Sequence, residues 1–132
     1  MAAEPSMDAW LAEAKQAPNA GLCGMYLTHN GIVRATAKAQ VREGVADLPP
    51  VKRVDFSYDA EGVRQAEADA LAMPGIYYVR TWLAEGPRTV GDTIMYVLIG
   101  GDIRPHVVDC LPALVGKIKN DLVVETEVFD ES

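Results

Sequence analysis

The sequence predicts an α+β fold: a mixed, mostly antiparallel sheet with helices packed on it. Three observations carry that expectation. Val51–Tyr58 and Leu122–Phe129 alternate apolar and polar residues with the period of half-buried strands. Three stretches, 6–16, 60–73 and 102–119, instead carry helical spacing or strong helix formers. Eight prolines and eleven glycines fall largely between these segments, where they turn the chain.

In chain order, Ser6 can cap a short amphipathic helix to Gln16, with Trp10, Leu11 and Ala14 on one side. Pro18-Asn19-Ala20-Gly21 ends it. Leu22–Leu27 reads as a strand and Thr28-His29-Asn30-Gly31 as a turn, after which Ile32-Val33-Arg34 is extended again. Ala35–Gly44 is weakly patterned and predicts a mobile loop carrying Lys38, Arg42 and Glu43, closed by Pro49-Pro50. Val51–Tyr58 buries Val54, Phe56 and Tyr58 on one face. Ala60–Met73 is a helix stopped by Pro74-Gly75. Ile76–Leu83 is a strand, Glu85-Gly86-Pro87-Arg88 a turn, and Thr93–Ile99 a buried strand ended by Gly100-Gly101.

The next segment forms the last helix, with Asp102 as N-cap and Pro105 in the first turn. Val107, Val108, Leu111, Leu114, Val115 and Ile118 make its apolar stripe, and Pro112 predicts a kink or split. Lys117 and Lys119 end it, where cations complement the helix dipole. Leu122–Phe129 is a final edge strand and Asp130-Glu131-Ser132 an acidic tail. No repeat or linker divides residues 1–132, so one domain is expected.

The net charge of −7 argues against a general nucleic-acid or anionic-membrane binder, and no run approaches the roughly 18 apolar residues of a membrane span. MAAEPSMDAW lacks the plan of a secretory signal, which with two cysteines predicts a cytoplasmic protein holding reduced thiols. Cys23, Cys110, His29 and His106 lack the close pairwise spacing of a zinc site, so neither a metal nor a cofactor is expected. No P-loop, GxGxxG, GxSxG or HExxH is present.

The remaining chemistry is cationic. Arg34, beyond Gly31, is either a fork for a phosphate or carboxylate or a solvated surface charge. Arg104 and His106 flank a helix start, where free N–H groups favour an anion, although Asp102 competes for them. Lys119 is either a partly desolvated catalytic amine or a lysine that complements the helix dipole. Cys110 reads as packing.

Together these segments resemble the large, catalytic subunit of molybdopterin synthase. Gly31-Ile32-Val33-Arg34 resembles that family's Gly-Lys-Val-Arg, and Gly91-Asp92 its Gly-Asp turn before Val-rich β structure. Arg104 falls on the arginine of a His-Arg pair. Without a gap, Lys119 then falls on the first lysine of Lys-Thr-Arg-Ala-Pro-x-Trp-Lys. The likeness runs from roughly Trp10 to Glu127, and it implies an α/β hammerhead-like fold.

It also implies a cytoplasmic homodimer that moves sulfur to cyclic pyranopterin monophosphate in molybdenum cofactor biosynthesis. The sulfur comes from a thiocarboxylate on the C-terminal Gly-Gly of a small ubiquitin-like subunit, and each site borrows residues from the neighbouring protomer. In this reading Lys119 is catalytic, as base or transient amide-forming amine, while Arg34, Arg104, His106 and Thr126 bind the substrate. The chain departs from the pattern at Ile32, Ile103 and Thr126, where the family has lysine, histidine and lysine. Those losses favour the alternative, a non-catalytic homologue that keeps the fold and dimer as a binding or regulatory partner.

Overall fold

The computed structural model describes residues 3–44, 46 and 48–130. Helices α1 (Met7–Ala14), α2 (Lys38–Arg42), α3 (Ala60–Leu71) and α4 (Arg104–Lys117) alternate with strands. The strands are β1 (Met25–Ile32), β2 (Val51–Tyr58), β3 (Ile76–Leu83), β4 (Gly86–Thr89), β5 (Thr93–Gly101) and β6 (Val123–Phe129). They form two sheets, ordered β1-β5-β3 and β4-β2-β6, with every ladder among the described residues antiparallel. The α+β class is as the sequence predicts; the strands divide between two sheets.

β5 is the centre of the first sheet. Met95, Val97, Leu98 and Ile99 are fully buried, because helices cover both faces. On one face α4 packs against β5 and β1 and α3 against β3, with Val107 lying on Gly101. On the other face α1 brings Trp10 to Tyr96, with ring centroids 6.4 Å apart, and Trp82 approaches the same ring at 6.0 Å. The Arg80 guanidinium stands 4.4 Å over Trp10 and pairs with Glu13, fixing α1 to the sheet.

Four local expectations change. The Thr28–Gly31 segment is strand, since Asn30 and Gly31 pair with Tyr96 and Met95. Turn-forming residues yield here to a continuous ladder, with an irregularity only between Gly31 and Ile32. Ala35–Gly44 contains the short α2. Gly86–Thr89 is β4, paired with β2, and the actual turn is Val90–Asp92, where Asp92 accepts from the Thr89 backbone and hydroxyl. Leu22 lies in a 3-10 turn and β1 starts at Met25.

The last helix differs too. Asp102 does not cap it: Ile103 is the N-cap and the Asp102 carboxylate binds His106. Pro112 does not split α4, which continues into a π-helical turn, Ile118–Leu122. Val108 is exposed, and Val107, Cys110, Leu114 and Ile118 are the buried stripe. The tail beyond Asp130 lies outside the described residues.

Gly75 closes the α3–β3 connection at φ 76°, and its carbonyl accepts from Asp102 N–H at 2.9 Å. A methyl group there would overlap His106 Nδ1 and Asp102 Oδ1. Gly75→Ala is therefore expected to cost about 1–3 kcal/mol, read as a lower denaturant midpoint at unchanged slope.

Candidate functional site

The site begins where β1 leaves its sheet. Val33 is buried; its N–H donates to Asp92 O at 3.0 Å and its carbonyl accepts from Gly91 N at 2.9 Å. These bonds anchor the exit of the strand on the Gly91-Asp92 turn. Arg34 follows, exposed, with its Nε donating to Thr36 O at 3.3 Å. Lys119 sits in the π-helical turn between α4 and β6.

Arg34 and Lys119 line one small cleft, with about 50 Å³ of free space over a floor of Val33, Val54 and Ile94. Lys38 and Arg42 of α2 line it too, as do Glu125 and Glu127 of β6. Four cations therefore face two carboxylates, in a chain whose overall charge is −7. Glu127 Oε2 accepts from Lys38 N–H at 2.9 Å, and Glu125 Oε2 lies 3.8 Å from Lys38 Nζ.

The other candidates lie elsewhere. β6 alternates, so Thr126 is on the opposite side from Glu125 and Glu127 and lines a different hollow with Phe56, Ser57, Pro87 and Val124. Arg104 and His106 start α4, and some fifteen residues of helix put them roughly 20 Å from Lys119. His106 Nδ1 is 2.7 Å from Asp102 Oδ1, and this contact holds the Asp102 carboxyl below the usual carboxylate range. Lys117 pairs with Asp121 at 2.9 Å on the surface. Within one chain the structure brings together Arg34 and Lys119, and leaves Arg104, His106 and Thr126 apart from them.

His29 is the residue that sequence reasoning left out of the site. On β1 it precedes Gly31 by two and shares its face. Its Nε2 is buried with no hydrogen-bond partner among the described residues. Burial lowers its pKa and the Lys119 charge lowers it further, so a neutral imidazole stands beside the cleft's amine. The signal in the sequence was its alternation with Gly31, hidden by reading 28–31 as a turn.

A lowered folded pKa means that the unfolded chain takes the proton first as pH falls. The stability that His29 contributes is thus complete above about pH 6.5 and is lost as pH drops below it. Denaturant midpoints between about pH 7.5 and pH 5.5 are expected to fall less steeply in His29→Gln.

Among the described residues no three His, Cys, Asp or Glu side chains gather as a metal-ligand group. Nor is any helix among them long and apolar enough to cross a membrane.

No protein-family model matches this sequence, and no curated protein matches it. Solved structures do. A molybdopterin cofactor biosynthesis protein E from Burkholderia multivorans superposes with a TM-score of 0.70 over 98% of this chain and 88% of its own, at 18% identity. The chain has the fold of these molybdopterin-biosynthesis proteins. Molybdopterin synthase from Staphylococcus aureus gives 0.67 at 12% identity, covering 84% of this chain and 78% of that one. A complex of subunits 1 and 2 of molybdopterin-converting factor from Helicobacter pylori gives 0.66 at 13% identity, over 96% and 77%. The fold is thus shared, while most side chains are not.

Proposed function

We propose that this chain is a divergent large subunit of molybdopterin synthase, acting in molybdenum cofactor biosynthesis. One observation carries the reading: on this fold, Arg34 and Lys119 line a common cationic cleft. Arg34 would hold the phosphate of cyclic pyranopterin monophosphate as a charged fork. Lys119 would act at the thiocarboxylate carbon or the pterin, as base or as an amine that transiently takes the acyl group. The sulfur would arrive on a small ubiquitin-like protein ending in Gly-Gly, a partner chemistry consistent with the two-subunit complex among the similar structures. No resident cofactor is needed, and residues 1–132 would act as one domain in the cytoplasm.

A homodimer belongs to this reading. Arg104 and His106 stand too far from Lys119 in one chain to share its ligand, so a second copy would have to deliver them. Light scattering at micromolar concentration is expected to give a dimer; a strict monomer would separate these residues from the site.

A second reading has its own observation. Glu125 and Glu127 enter the same cleft, and carboxylates oppose an anionic substrate. A non-catalytic homologue, binding a partner through this fold, would tolerate them. An assay with thiocarboxylated small subunit and cyclic pyranopterin monophosphate separates the two. Molybdopterin formation is the expected result. Complex formation with the small subunit but no product would favour the non-catalytic homologue.

A further inference from the structure

The cleft contains more positive charge than Arg34 and Lys119, and the excess comes from α2. Lys38 and Arg42 lie four residues apart, so they share one face of that helix. Lys38 is held twice by β6: its backbone N–H donates to Glu127 Oε2 at 2.9 Å, and its ammonium lies 3.8 Å from Glu125 Oε2. The two carboxylates that would repel an anion are thus both engaged with the residue that brings α2 to the cleft. Glu125 is largely covered, at 20% exposure of its side chain. Position 126, where the resemblance leads one to expect a second lysine, faces the hollow on the other side of β6.

We propose that α2 carries the phosphate-binding charge of this cleft, with Lys38 and Arg42 as substrate-binding residues in place of a lysine on β6. This rests on the functional reading above and deepens it: the ligand's anion is a cyclic phosphate diester, gripped between Arg34 on one wall and α2 on the other, with Lys119 lining the same cleft. A phosphate between Lys38 and Arg42 adds charge-assisted bonds to a lysine whose contact with Glu125 is long, at 3.8 Å. Thr126 has no part in it.

The test is equilibrium binding of inorganic phosphate and of cyclic pyranopterin monophosphate, each at low and high salt. The proteins compared are wild type, Lys38→Ala, Lys38→Arg, Arg42→Ala and Thr126→Lys. Lys38→Ala and Arg42→Ala are each expected to weaken binding about five- to tenfold and to flatten its salt dependence. Lys38→Arg should restore most of the affinity, and Thr126→Lys should leave it unchanged. Thermal melting checks that the variants remain folded.

Unchanged affinity in both alanine variants would overturn the proposal, as would tighter binding by Thr126→Lys. Phosphate that does not bind the wild type would overturn it as well. Sulfur transfer that is insensitive to Lys38 and Arg42 would leave the functional reading standing and remove α2 from it. Conversely, α2-dependent phosphate binding without sulfur transfer would keep this site and overturn the enzyme.

Discussion

Lys119→Ala is expected to lower sulfur transfer about 10²- to 10⁴-fold with almost no change in melting temperature. Removing a positioned acid–base or nucleophilic group typically has an effect of that size. Among the described residues the Lys119 side chain forms no hydrogen bond or ion pair that would be lost with it, and it sits outside the α4 ladder in a π-helical turn. Its surroundings support the role: His29, its pKa lowered by burial and by the Lys119 charge, lies within reach of that charge, and Arg34 shares its cleft. Lys117→Ala is the control. Lys117 is exposed and paired to Asp121 on the surface, a contact that solvent screens, so activity should be unchanged. Equal losses in the two variants would mean a generic requirement for charge near the end of α4.

Leu98→Ala should have the largest effect on stability. Leu98 lies fully buried on the central strand, between Thr28 of β1 and Arg80 of β3 in the ladder. Its side chain is on the face of the sheet that carries Tyr96, where Trp10 of α1 and Trp82 converge. Truncation there loses transfer energy and leaves a cavity, together about 2–5 kcal/mol. Thermal unfolding should move down by roughly 8–15 °C. A cost below about 1 kcal/mol would show that β5 is not the packing centre of the fold.

Strands with local reinforcement were readable from the sequence. Val51–Tyr58 and Ile76–Leu83 have the same limits in the structure as in the pattern, because each begins at a proline or glycine and keeps its alternation or β-branched content throughout. Within β1 the stretch Thr28–Gly31 was not readable as strand. Asn30-Gly31 signals a turn locally, and only the ladder to β5, about sixty residues away, turns it into strand. β4 is four residues of Gly, Pro, Arg and Thr, with no propensity of its own; its partner β2 defines it.

The site was legible in part. Arg34 and Lys119 came from motif spacing and meet in one cleft. Thr126 came from the same spacing, yet the two-residue period of β6 sets it opposite Glu125 and Glu127. That period was visible in the Val123–Phe129 pattern. Lys38 and Arg42 could be named from the sequence only as the nearest spare cations to take the place of a lysine at position 126, since nothing in a weakly patterned connection says that β6 will hold it through Glu127. Arg104 and His106 could be placed relative to Lys119 from helix length alone, and that length separates them.

The most direct measurement is the fate of the thiocarboxylate in a single turnover. Small subunit carrying a C-terminal Gly-Gly thiocarboxylate is mixed with excess protein and cyclic pyranopterin monophosphate, and its intact mass is followed. With wild-type protein the thiocarboxylate should convert to the carboxylate, lighter by the difference between sulfur and oxygen, in step with sulfur entering the pterin. With Lys119→Ala the thiocarboxylate should persist. A thiocarboxylate that stays intact beside wild-type protein, with both subunit and pterin bound, would contradict sulfur transfer by this cleft.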